Sequence, residues 1–156
     1  MGNRTNKIPE AEFSHEIQRI NIQQFESSVV VMKLTQDDKY LVIATTPPDC
    51  EIQLWELRSL TCRAKFKDHT DLISSLDIGL DFPKTEESET QFDYPMTILS
   101  GSYDGSTRIW KPFEDFSEVD YRDPNEEIER VLFIDNCRHY ILGTLNGRLM
   151  KRDPEN

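Results

Sequence analysis

The chain has 156 residues, of which 37% are hydrophobic and 30% charged, with a formal net charge of −11. That length supports one domain with a core, and the composition is not that of a disordered chain. No apolar run reaches the roughly 18–20 residues of a membrane-spanning helix, and the acidity argues against binding to nucleic acid or to an anionic membrane surface.

The charge is local. Residues 81–94 carry five acids and one Lys (−4), and residues 113–129 carry eight acids and one Arg (−7), so these two segments supply the whole −11. Cys50, Cys62 and Cys137 are odd in number and form no C-x-x-C pair. They predict reduced thiols in a cytoplasmic protein rather than a disulfide framework or a thiolate zinc site.

In chain order, residues 1–16 read as a tail or short helix. Pro9-Glu10-Ala11-Glu12 has the composition of a first helical turn, and Phe13, Ile17 and Ile20 follow at helical spacing. No apolar secretory core is present in this stretch. Met1-Gly2 opens like an acylation signal, but Asn6 stands where that signal wants Ser or Thr. Residues 17–25, with Ile20 and Ile22 at period two and Phe25 at the end, read as a strand without a unit of its own.

Residues 28–66 then read as four short strands joined by turns: 29–34, 40–45, 51–57 and 60–66. A second unit, 70–121, places strands at 72–78, 96–102 and 106–111, with Asp104-Gly105 as a hairpin turn and a fourth strand near 116–121. The acidic stretch 81–94 is an insertion between its first two strands. A third unit, 128–152, has strands at 128–134, 139–144 and 148–152, with Asn146-Gly147 as its turn and no fourth strand.

The register repeats. Asp49 to Trp55 and Asp104 to Trp110 are both six residues, and Asp104 to Asn146 is 42, inside the roughly 40–45 residues of a four-stranded repeat. Asp49 to Asp104 is 55, and the insertion supplies the excess. A plain antiparallel β-sandwich is the alternative for strands so spaced.

His69 in the loop before the second unit, Ser100 in its second strand, Asp104 in its hairpin and Trp110 in its third strand together resemble the WD40 repeat family. Asp68 stands where that family's Gly is usual, and Lys111 where Asp usually follows the Trp. The first unit keeps Asp49 and Trp55, has Ala44 or Thr45 near the hydroxyl position, and lacks the His. The third has Asn146 for the Asp and Arg152 for the Trp. The resemblance implies an all-β fold, a partial WD40-type β-propeller of about three four-stranded antiparallel blades with a short N-terminal helix or tail. It implies that His69, Ser100, Asp104 and Trp110 form a structural hydrogen-bond chain.

The function so implied is that of a non-enzymatic protein-interaction scaffold or adaptor, a subunit or fragment of a larger complex. Pro48, Tyr103 and Leu145, each just before the hairpin acid or its replacement, are the interaction candidates. The acidic segments are a second surface, suited to basic partner segments. No catalytic residue, metal site or cofactor is expected: His15, His69 and His139 have no metal-ligand spacing. His69 with Asp104 could be read as two thirds of a triad, but no nucleophile motif accompanies them. The alternative class is an enzyme using surface carboxylates. Three blades are too few to close a ring, so the expectation is either a piece of a longer propeller or a chain completed by a second copy or another protein.

Overall fold

The computed structural model describes residues 27–80, 96–135 and 137–154. The expected N-terminal segment 1–16, the strand 17–25 and the insertion 81–94 lie outside the described residues.

The regular structure described is all β. Sheet 1 contains β1 (Val29–Leu34), β2 (Tyr40–Thr45), β3 (Ile52–Glu56) and β4 (Thr61–Phe66). Sheet 2 contains β5 (Ile73–Leu80), β6 (Met96–Ser102), β7 (Ser106–Lys111) and β8 (Phe116–Arg122). Sheet 3 contains β9 (Ile128–Ile134), β10 (His139–Thr144) and β11 (Leu149–Arg152). Every sheet is antiparallel, with strands side by side in chain order.

Local chemistry sets the turns. Asp104-Gly105 and Asn146-Gly147 turn with Gly105 and Gly147 both at φ +81°, a region open to glycine and costly for other residues. Between β1 and β2, Thr35 donates its hydroxyl to Asp37 at 2.7 Å and accepts the Tyr40 N–H at 3.0 Å. The repeat seen in sequence recurs in backbone detail. The first strand pair of each sheet has a bulge at the same place, between Val29 and Val31, between Ile73 and Ser75, and opposite Gly143 and Thr144.

The sheets pack face to face in order. Val42, Ala44, Ile52, Leu54 and Phe66 of sheet 1 meet Leu76, Met96, Ile98 and Trp110 of sheet 2 in one core. Leu99 and Ile109 of sheet 2 meet Ile128, Val131, Tyr140 and Leu142 of sheet 3 in another. Successive residues of a strand point to opposite faces, so Ile98 and Leu99 serve different cores. Sheet 2 is therefore covered on both faces, which explains why β6 reads as a nearly unbroken apolar and small-residue run.

Polar groups stitch the inner strands where sheets meet. Val131 donates its N–H to Ser75 Oγ at 3.1 Å, and Phe133 donates its N–H to Asp77 Oδ2 at 2.8 Å. Side chains of β5 thus satisfy the free edge of β9, and Lys33 of β1 reaches Asp77 at 3.1 Å.

Residues 113–129 are not simply an acidic loop, because β8 lies inside them. Asp120 lies against Arg152 at 3.5 Å and Glu126 against Arg148 at 2.6 Å. Sheet pairing captured those two acids, leaving Glu114, Asp115, Glu118 and Glu127 exposed.

Gly101 sits where sheet 3 closes on sheet 2. A Cβ there would lie 2.7 Å from Ile128 Cγ2 and 2.9 Å from Val131 Cγ1, whereas one on Gly143 would find its nearest atom at 3.9 Å. Gly101→Val is expected to destabilise by about 1–3 kcal/mol through overpacking, and Gly143→Ala to change stability by less than about 0.5 kcal/mol. Urea unfolding of the two variants beside the parent checks the contrast.

Candidate functional site

The loop from β4 to β5 brings His69 over the hairpin of sheet 2. Its imidazole is fully buried, with Nδ1 at 2.8 Å from Asp104 Oδ2 and Nε2 at 2.7 Å from Ser100 Oγ. Trp110 Nε1, on the neighbouring strand, donates to the same Ser100 oxygen at 2.8 Å.

Chemistry orients this chain. An indole N–H can only donate, so Ser100 accepts from Trp110 and turns its own proton to His69 Nε2. That leaves Nδ1 carrying the ring proton and donating to Asp104. All four predicted residues are brought together, in the expected order.

Asp104 holds more than the histidine. It accepts the Thr70 N–H at 3.0 Å, the Ser106 N–H at 2.9 Å and the Ser106 hydroxyl at 2.5 Å. Burial by itself would raise its carboxyl. The hydrogen bonds it accepts from His69, Ser106 and Thr70 outweigh burial and hold it well below the usual carboxylate range.

Sheets 1 and 3 lack this chain for identifiable reasons. Strand pairing puts Ile43, not Ala44 or Thr45, at the position of Ser100. Ile43 pairs with Gln53 ten residues on (43 to 53), while Ser100 pairs with Arg108 eight residues on (100 to 108). The Pro47-Pro48 hairpin is thus longer by two, and counting back from Asp49 misplaces the hydroxyl. Trp55 faces away from sheet 2, and its indole N–H donates to Gln53 Oε1 at 2.9 Å. In sheet 3, Leu142 pairs with Met150 and Tyr140 with Arg152, so Leu142 and Arg152 occupy the Ser and Trp places.

Sequence reading missed a second buried chain. The Tyr140 hydroxyl meets Thr107 Oγ1 at 2.7 Å and donates to Asp120, which also faces Arg152. Burial, and then the bond to Asp120, push the Tyr140 phenol well above its ordinary range. Arg152 in a tryptophan's place, downstream of an acid-rich strand, was the available signal.

The interaction candidates lie on the three equivalent hairpins. Pro48 is exposed, Leu145 is 57% exposed and Tyr103 is half-buried. Tyr103 and Leu145 donate their N–H groups to Leu72 and Glu127, just before β5 and β9. In sheet 1 it is Thr46 that makes the matching bond, to Ser28, so Pro48 belongs to the longer part of its hairpin. The Tyr103 hydroxyl donates to Glu129 at 2.8 Å, bridging sheets 2 and 3. Tyr103 also borders an open groove of about 550 Å³ whose wall includes Val30, Met32, Leu72, Leu76 and Arg130. Its phenol is raised, first by the bond to Glu129 and then by burial.

Among the described residues no group of three or more His, Cys, Asp or Glu could hold a metal ion, and no helix is long and apolar enough to cross a membrane.

No protein-family model matches the chain, and no curated protein matches it. Among solved structures, the crystal structure of the computationally designed Ika4 protein is similar, with a TM-score of 0.60 over 83% of this chain and 68% of that one. Sequence identity is 15%, so this likeness speaks to the fold alone. In all, 433 chains of solved structures match.

Because the Asp104 carboxyl is held low in the folded state, its contribution to stability is complete above its unfolded value of about 4 and fades as pH falls below it. Asp104→Asn is expected to cost about 1–3 kcal/mol near neutral pH and to flatten the loss of stability below about pH 4. Unfolding followed by tryptophan fluorescence across that pH range measures both effects.

Proposed function

We propose that this chain is a WD40-type β-propeller segment of three blades that serves as a non-enzymatic protein-interaction scaffold, as a subunit or part of a larger assembly. The observation that carries the reading is the chain from Trp110 through Ser100 and His69 to Asp104. It commits the histidine and carboxylate best suited to chemistry to holding a sheet together. Asp120 and Glu126, two further buried acids, are held against arginines.

Binding falls to the hairpin edge that carries Pro48, Tyr103 and Leu145, with Tyr103 as the principal contact. A tyrosine offers a large apolar face and a polar tip at little conformational cost. The exposed acids around β8 form a second surface, complementary to basic segments of a partner protein. The acidic balance favours protein partners over nucleic acid or membrane lipid. Three free cysteines suit the cytoplasm.

Tyr103→Ala is expected to keep the fold, by near-ultraviolet circular dichroism, while reducing the proteins retained on the immobilised chain. An undiminished set of retained proteins, with the fold intact, would remove Tyr103 from the binding surface.

A further inference from the structure

The two junctions between sheets are built on the same positions. At each junction the earlier sheet offers the third and fifth residues of its inner strand, Val31 and Lys33 or Ser75 and Asp77. The later sheet answers with the fourth and sixth, Leu76 and Ile78 or Val131 and Phe133. Strand pairing extends the equivalence to sheet 3, whose own third and fifth positions are Arg130 and Leu132, with Ile141 and Leu149 beside them. No described sheet covers that face, and Leu132 and Leu149 are 52% and 76% exposed. At the other end of the array, sheet 1 carries Met32 and Leu34 at the fourth and sixth positions, 65% and 45% exposed. Ile43 and Gln53 on the same side are already buried, so the uncovered part of that end is the inner strand, and inner strands meet at both existing junctions.

One chain therefore carries both halves of a third junction, on its first and its third sheet. We infer that the partner is a second copy of this chain: the Leu132 face of each copy seats on the Met32–Leu34 strand of the other, giving a closed ring of six sheets with two identical junctions. Two different faces on one molecule close into a ring when the rotation between copies permits it and otherwise run on as a filament. Charge favours the pairing, since Arg130 and Lys151 are exposed on the sheet 3 face while Glu51 lies beside Gln53 on the sheet 1 face. Leaving both ends uncovered would expose apolar side chains on inner and edge strands, a template for uncontrolled association. The inference rests on the stacked-blade reading above.

The test is the mass of the full chain in solution by light scattering after size exclusion. The nitrogen-bound proton of the buried Trp110 indole is followed by NMR as the signature of stacked sheets. The expected mass is twice the 18.3 kDa of one chain. Leu132→Asp and Met32→Asp, made separately, are each expected to halve that mass and leave the Trp110 signal in place. A parent mass of one chain, or of more than two, with the Trp110 signal intact would overturn the closed pair while leaving the blade reading standing. So would a mass that neither substitution changes. A parent chain without a protected Trp110 signal would overturn the blade reading itself.

Discussion

Trp110 stands where the two kinds of force in this structure meet. Its indole is fully buried between sheets 1 and 2, with the Phe66 ring centred 5.0 Å away and the His69 ring 5.8 Å away. Its N–H ends the polar chain that runs through Ser100 and His69 to Asp104. The ring thus contributes apolar area to the junction between sheets, while its one polar atom fixes β7 to β6 and to the loop that enters the sheet. An aliphatic residue of equal volume could fill the space, but Ser100 and the imidazole would lose their order of donors and acceptors.

Sheet 2 depends on that arrangement more than its neighbours because it is buried on both faces. Sheet 1 gives one face to it, and Trp55, on the other, settles for a bond along its own strand to Gln53. Sheet 3 gives its Tyr140 face to sheet 2 and holds it with a different chain, through Thr107 and Asp120. The polar device thus changes from sheet to sheet, and of its positions only the Trp110 place, held by Trp55 in sheet 1 and Arg152 in sheet 3, takes part in all three. Stacked repeats behave so because each unit answers only to its neighbours.

The same logic separates residues that stabilise from residues free to bind. Side chains between sheets are fixed by their partners, and the buried acids have neighbouring cations. What stays accessible is the hairpin edge with Tyr103, the exposed acids around β8, and the apolar faces at the two ends of the array. Their chemistries differ: an aromatic ring with a polar tip, carboxylates, and aliphatic side chains.

The sequence by itself determined the strands and turns. Short β-branched runs, Asp-Gly and Asn-Gly turns and the 42-residue interval place the described elements to within about two residues, because period-two patterning and turn chemistry are local properties. The chain from His69 to Trp110 was legible only through the resemblance of those four residues to a known repeat, and the fold brings them within hydrogen-bond distance. The sequence could not supply the register of the longer hairpin, which put Ile43 where a hydroxyl was expected, because pairing is decided by the sheet and not by counting from a turn. Nor could it supply the Tyr140–Asp120–Arg152 cluster, whose members lie on three strands of two sheets. Contacts of that kind exist only once apolar burial has brought the sheets face to face, so the tertiary structure alone decided which of many similar acids, tyrosines and leucines became partners.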